Sequence, residues 1–292
     1  MLVGLAGCRH SQNRSKPWEE FSGANALAHV QTLVEIGPRP PGTDALEKAR
    51  VYITEQLEKN GWSVVRQPFP DETPRGKVSF VNLIARFRRA APAKSKGTDF
   101  LIASHYDTKT FDNARFVGAN DGGSSTGALI ELARVLARYP AVAARIELVF
   151  FDGEEACENF TETDGLYGSR HYAKQLVQQN RVAAFRGAIL WDMIGDRSLT
   201  ITLPPDSPAQ LARDIFASAD ALKLRNHFTY FDRDVIDDHT PLNKAGVPAI
   251  DLIDFDYPAW HTTEDTLDKI SEESLQIVGS VTLYYLFEKA FK

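Results

Sequence analysis

The sequence predicts an α/β protein of one domain, built on a mainly parallel, mixed central sheet with helices on both faces. Two observations lead there. From residue 100 onward, short apolar runs alternate with helix-length segments, as expected of buried strands joined by helical crossovers. No proline- or glycine-rich linker divides the chain, and 292 residues with 43% hydrophobic and 25% charged content can bury one substantial core. We place the catalytic-size domain over residues 17–292, after a leader and polar tether over 1–16.

The leader, Met1-Leu-Val-Gly-Leu-Ala-Gly-Cys8, reads as the tail of a secretion signal. Its Leu5-Ala-Gly-Cys8 end has the form of a bacterial lipobox, although no basic segment precedes it. The two readings are a lipid anchor at Cys8 on an exported, periplasmic or membrane-attached protein, and an accidental match. Cys157 is then an unpaired thiol, since two cysteines so far apart form neither a disulfide framework nor a CxxC metal site.

Helices are expected over 25–36 and 44–60, separated by the breaker Gly37-Pro-Arg-Pro-Pro-Gly42, the second ending at a left-handed Gly61. Residues 62–69 and 78–88 read as neighbouring strands at one side of the sheet, followed by a surface loop over 90–97. Strands follow at 100–104, 146–151, 188–191 and 247–253, and helices at 124–139, 168–180, 208–221 and 272–292.

A net charge of −6 offers no basic stripe for phosphates, and Arg86, Arg88 and Arg89 read as a solvated strand edge, so nucleic acid is not an expected partner. No run reaches the ~18 to 20 apolar residues of a membrane helix. A monomer is expected. The chain lacks GxSxG, a phosphate-binding GxxxxGK[ST], GxGxxG and HExxH.

Ligands of open parallel sheets bind beyond the carboxyl ends of the strands, and polar clusters stand at those ends here: His105-Tyr-Asp107, Asp152-Gly-Glu154-Glu155, Asp192 and Trp260-His261. His105 and Asp107 read as an imidazole oriented by a carboxylate, or as a structural hydrogen bond. Asp121 in Gly118-Ala-Asn-Asp-Gly-Gly123 reads as a helix N-cap or as a metal ligand. Glu154 and Glu155, adjacent on a turn, point apart, which leaves one for a metal and one for protons; the alternative is a solvated acidic loop. Asp192 is a turn residue or part of the site. His29, His171 and His227 are read as incidental or packed. An oxygen-rich set with one or two imidazoles suits zinc with an open position for substrate.

These residues resemble those of the glutaminyl-peptide cyclotransferases, within the wider fold family of zinc aminopeptidases. The similarity runs from about Gly37 onward. It is carried by Ser104-His-Tyr-Asp-Thr-Lys109, Val117-Gly-Ala-Asn-Asp-Gly-Gly123, Phe150-Phe-Asp-Gly-Glu-Glu-Ala156, Leu166-Tyr-Gly-Ser-Arg-His171, Asp237-Asp-His-Thr-Pro241, Gly246-Val-Pro248 and Trp260-His-Thr262. The resemblance implies an α/β/α sandwich and one zinc ion held by Asp121, Glu155 and His261. It makes Glu154 the proton-transfer residue, sharing hydrogen bonds with Asp192 and Asp237, and the substrate a peptide or protein with N-terminal glutamine. In two-metal peptidases of this fold the positions of His105 and Asp192 bind a second ion, so these residues and Asp107 are second-metal or supporting candidates. Trp260 first, then Tyr257, Phe160 and Trp191, are expected to wall the substrate pocket. The chain departs from the animal cyclases in having Phe160 for a tryptophan and Asp251 for a histidine, and in lacking their cysteine pair. Aminopeptidase hydrolysis at the same ligands is the leading alternative, and a non-catalytic binding ectodomain a lesser one.

Overall fold

The computed structural model describes residues 16–88 and 100–292. Cys8, Arg89 and the loop expected over 90–97 lie outside the described residues.

Two helices come first, α1 (Gly23–Ile36) and α2 (Asp44–Lys59). The Ser22 and Thr43 side chains accept the N–H groups of Asn25 and Leu46, satisfying donors that a helix start leaves unpaired. Gly61, at φ +84°, ends α2 where a left-handed residue was expected. The chain then forms a long hairpin, β1 (Trp62–Thr73) and β2 (Gly76–Phe87), in register from Trp62 opposite Phe87 to Thr73 opposite Gly76. Pro68 and Pro70 lie on β1, an edge strand, where a missing donor is tolerated.

Next come β3 (Phe100–His105), α3 (Gly123–Leu136), α4 (Pro140–Ala143), β4 (Ile146–Phe151), α5 (Tyr167–Gln178) and β5 (Gly187–Asp192). The chain continues through β6 (Ile201–Leu203), α6 (Ala209–Ala221), β7 (Phe228–Tyr230), α7 (His239–Ala245), β8 (Ala249–Ile253) and α8 (Glu272–Tyr285). The strands form one sheet in the order β1-β2-β4-β3-β5-β8-β6-β7. β4, β3, β5 and β8 are mutually parallel, so their carboxyl ends meet along one edge, while the hairpin and β6 join antiparallel.

The period-two alternation of a strand divides the core. Ile102, Leu148, Ile189 and Leu252 face the cluster that contains α1, α2, α3, α6 and α8, whereas Leu101, Val149 and Leu190 face α5 and α7. The same alternation corrects one expectation: Trp191 points with Ile189 into the larger core, 1% exposed, and does not wall the cavity. The three-residue β6 and β7, α4 and the seven-residue α7 were not anticipated, because segments this short carry too little periodicity. The last helix gives way to a wider π turn over Leu286–Ala290. Arg86 lies on the second strand rather than the edge and pairs with the buried Glu147, and Arg88 pairs with Glu58 at 2.7 Å.

α2 is bolted to the sheet by a buried ion pair. The Arg50 Nη2 lies 2.7 Å from Asp152 Oδ2, and Arg50 Nε donates to the Tyr106 hydroxyl at 2.7 Å. Asp152 Oδ2 also accepts the Val81 N–H. Removing one partner of such a pair strands a buried charge, so Arg50→Met is expected to cost about 3–5 kcal/mol of stability. Urea unfolding checks it: the midpoint falls at unchanged slope, and a loss below about 1 kcal/mol would show that the pair does not hold α2.

Candidate active site

The parallel strands deliver their exits to one place. β3 ends in His105 and continues to Asp107; the β4 exit carries Glu154 and Glu155; β5 ends in Asp192; and the segment after β8 brings Trp260 and His261. They meet in a cavity of about 490 Å³ whose floor includes Asp121, Glu154, Glu155, Asp192, Asp237 and His261. A groove of about 600 Å³ lies elsewhere, over β1, β2 and α5; no carboxylate is among its described lining residues, and its Arg86 and Arg181 are paired with Glu147.

Donor atoms of Asp121, Glu155 and His261 lie within 4.8 Å of one another, as do those of His105, Asp121 and Asp192. His261 Nε2 is 3.2 Å from Glu155 Oε1 and 3.5 Å from Asp121 Oδ2. On the other side of Asp121, Oδ1 is 3.3 Å from His105 Nε2, which is 3.0 Å from Asp192 Oδ1. Asp121 Oδ2 is buried and accepts no hydrogen bond among the described residues, as expected of a ligand atom facing a cation. Asp121 is not the N-cap of α3; that position is Gly122, at φ +72°. A Cβ there would stand 2.6 Å from the Asp107 carbonyl oxygen and 2.9 Å from His105 Cε1, so glycine is required. His261 itself holds φ +54°, a costly backbone for a non-glycine residue that concentrates at functional sites.

The two histidines differ. Carboxylates bracket His105 on both ring nitrogens, with Asp107 Oδ1 3.5 Å from Nδ1. Burial opposes its charge, but Asp192, Asp107 and Asp121 outweigh burial and raise its pKa well above the ordinary value. His261 has no acid on its second nitrogen among the described residues, stacks on Trp260 at 4.3 Å, and is lowered by burial against the pull of Asp121. His261 is therefore the neutral imidazole that can give a lone pair, and His105 the cation.

The acids are crowded. Burial, then the charge of Glu155, raises Asp121. Burial pushes Glu155 up to about 7 against the nearby Lys109, whose Nζ is 3.5 Å from Oε2. Burial and Asp237 raise Glu154 well above the carboxylate range, and burial and Asp192 push Asp237 up to about 6. Asp192 accepts its hydrogen bond from His105, and Asp237 reaches Glu154 through charge.

Supports lie behind these groups; sequence reasoning named Asp107 among them and missed Asp265 and Arg39. The Asp107 carboxylate accepts the N–H groups of Glu154 at 3.2 Å and Glu155 at 3.3 Å, fixing the paired glutamates. Asp265 accepts those of Asn120 at 2.8 Å and Asp121 at 3.1 Å. Tyr257, expected in the pocket wall, is buried and donates its hydroxyl to Asp265 at 2.7 Å, so it stands behind the site. Arg39, from the Gly37–Gly42 breaker, is fully buried and donates to the carbonyls of Leu33, Gly37, Tyr106, Val117 and Gly118. The one signal for Asp265 was its place in the Thr262-Thr-Glu-Asp265 turn, and Arg39 gave none beyond its prolines. Trp260 and Phe160 do line the cavity, 42% and 43% exposed. His171 stacks on Phe69 at 4.0 Å.

Residues 82–286 match the sequence profile of peptidase family M28. A glutaminyl-peptide cyclotransferase of Boiga irregularis is 29% identical, over 88% of this chain and 78% of the relative. The crystal structure of an Acidobacteriales bacterium glutaminyl cyclase superposes with a TM-score of 0.83 at 33% identity, covering 97% of this chain and 98% of that one. A Zn-dependent exopeptidase from Parabacteroides distasonis gives 0.81 at 25% identity, over 92% and 99%.

Asp265→Asn places an amide nitrogen where an oxygen accepts, so at least one N–H or hydroxyl loses its partner. Stability is expected to fall by about 1–3 kcal/mol, and divalent-ion affinity with it. Thermal unfolding and calorimetric titration check this; unchanged ion affinity would detach Asp265 from the Asp121 loop.

Proposed function

The chain belongs to peptidase family M28 and, within it, to the glutaminyl cyclases, and from that premise we propose that its strand-end cavity converts N-terminal glutamine of peptides into pyroglutamate with release of ammonia. The observation that supports it most is the division of labour between adjacent glutamates: Glu155 joins Asp121 and His261, while Glu154 stays outside that donor set, beside Asp237.

Asp121, Glu155 and His261 supply two carboxylates and one neutral imidazole, a donor set that fits zinc with a position open for substrate. When bound there, zinc supplies Lewis-acid polarisation of the glutamine side-chain carbonyl. One ion is the reading taken from the family resemblance, and His105, Asp121 and Asp192 form a second group of donor atoms beside it. Glu154 accepts a proton from the α-amine as its nitrogen bonds to the side-chain amide carbon, and returns a proton to the leaving nitrogen as that C–N bond breaks. Atoms and charge balance without any external base. The raised pKa of Glu154 suits this double duty, and a divalent cation on the neighbouring Glu155 would act in the opposite direction. Trp260 stands at the mouth to hold the glutamine folded back on itself, which supplies much of the rate in an intramolecular reaction, and Phe160 beside it adds apolar contact to the bound peptide.

No helix among the described residues is long and apolar enough to cross a membrane. Export, with Cys8 as a lipid anchor, rests on the lipobox-like leader alone.

Peptides beginning with glutamine and with leucine, followed by mass spectrometry with and without a chelator, test the activity. Chelator-sensitive loss of ammonia from the glutamine peptide alone is expected; release of a free N-terminal residue would make the protein an aminopeptidase. Glu154→Gln should abolish turnover with zinc retained, and His261→Ala should lose the metal. The negative charge of Asp237 raises Glu154, so Asp237→Asn should lower that pKa and move the acid limb of the kcat profile to lower pH. An unmoved or upward-shifted limb would show that Glu154 is not the titrating base.

A further inference from the structure

Between the paired glutamates and α5 the chain makes a closed loop, and one buried acid organises it. The ends are tied together where Leu166 N donates to Glu154 O at 2.8 Å and Tyr167 N to Gly153 O at 2.7 Å, the geometry of an Ω-loop. Glu158, Asn159 and Phe160 from this loop face the strand-end cavity. Asp164 lies beneath them, buried, with both carboxylate oxygens engaged. Oδ1 accepts the Cys157 N–H at 2.7 Å and the Tyr167 hydroxyl at 2.9 Å; Oδ2 accepts the N–H groups of Glu158 at 2.9 Å and Asn159 at 3.1 Å. The Asp164 backbone closes the tip as well, its N–H donating to Thr161 Oγ1 and its carbonyl accepting from Thr161 N, each at 3.0 Å.

From this geometry we infer that Asp164 is a positioning residue for the substrate wall: its carboxylate gathers the N–H groups of residues 157–159 and thereby holds Phe160 over the mouth of the cavity. The inference rests on the reading that this cavity takes glutamine-initiated peptides. Three consecutive amides pointing at one carboxylate leave the following residue little freedom. Phe160 is then seated on Gly165, which holds φ +112°; a Cβ there would stand 2.9 Å from Phe160 Cε2. Burial works against the Asp164 charge, but the amides of Glu158 and Cys157, the Tyr167 hydroxyl and the Asn159 amide outweigh it, leaving the pKa below the ordinary value. The carboxylate is thus ionised across the neutral range, when its four acceptor contacts are needed. The amides of Glu154 and Glu155 have their own acceptor in the Asp107 carboxylate, distinct from the Asp164 carboxylate that holds 157–159.

The test is a double-variant cycle on the zinc-loaded enzyme with a glutamine-initiated peptide. Asp164→Ala and Phe160→Ala are each expected to raise KM about tenfold, the scale of one lost aromatic contact, with kcat within about twofold and zinc content unchanged. The double variant should be no worse than the poorer single one, since both remove the same contact. Asp164→Asn retains one acceptor oxygen of two and should fall between, which keeps the test usable should the alanine variant fold poorly. Hydrogen exchange supplies a readout free of turnover: amides 157–159 should exchange at least about tenfold faster in the Asp164 variants, with 105–121 unchanged. Additive KM effects, or a fall in kcat with KM unmoved, would overturn the inference, as would unchanged exchange at 157–159. If the wild-type protein leaves the glutamine peptide intact, the proposed activity fails, and exchange alone then decides whether Asp164 holds the loop.

Discussion

The structure is governed by the cost of burying like charges together. At the carboxyl edge of four parallel strands the fold gathers Asp107, Asp121, Glu154, Glu155, Asp192 and Asp237, all withdrawn from solvent, within reach of few cations. Burial, and then neighbouring carboxylates, raise the pKa values of Asp121, Glu154, Glu155, Asp192 and Asp237. His105 and Lys109 answer part of this charge. A divalent cation held by Asp121, Glu155 and His261, as proposed above, would offset the remainder. The unpartnered oxygen of Asp121 marks where compensation is missing.

Holding ligands against their own repulsion requires a rigid backbone, and the fold supplies it from behind each exit. Asp107 spans from the β3 exit to the β4 exit, Asp265 from the loop after β8 to the Asn120–Asp121 turn. Arg39 gathers carbonyls from the end of α1, the β3 exit and the loop before α3, with no carboxylate in hydrogen-bond contact among the described residues. Burial pulls its pKa down to about 10 against the charges of Asp107, Asp265 and Asp121, which it balances at a distance. Donors and acceptors that fix ligand loops are thus themselves charged groups whose sign offsets or shares the field of the site.

What the sequence disclosed follows from how locally each feature is encoded. The parallel strands were legible because burial on both faces leaves continuous apolar runs, and Gly61 because only a left-handed cap explains a glycine there. The paired glutamates, Asp192 and His261 stood out by falling past strand ends, and Asp121 by its place in Gly118-Ala-Asn-Asp-Gly-Gly123 where a helix begins. Trp191 was misplaced because being next to Asp192 suggested the cavity, whereas alternation turns the two side chains to opposite faces. Tyr257 was misplaced for a related reason: it lies near His261 in sequence, but a turn directs its hydroxyl to Asp265. Arg39, Asp265 and Asp164 left little local trace, since their partners lie at distances along the chain or in loops that no periodicity describes.

The composition of the rim bears on why this site cyclises. A hydrolase of this architecture must admit and activate a water, whereas a cyclase brings its nucleophile on the substrate and gains from keeping water out. Here an acidic floor is overhung by Phe160, Trp260, Ile236 and Phe255, the first three of them exposed large apolar side chains clustered at one opening. Apolar groups gathered so are unfavourable in water unless something covers them. A peptide end folded over the floor would do so, and would at the same moment displace solvent from beside Glu154. Beneath that rim His105 lies between carboxylates, with Asp192 Oδ1 3.0 Å from one ring nitrogen and Asp107 Oδ1 3.5 Å from the other, and these favour its charged form against burial.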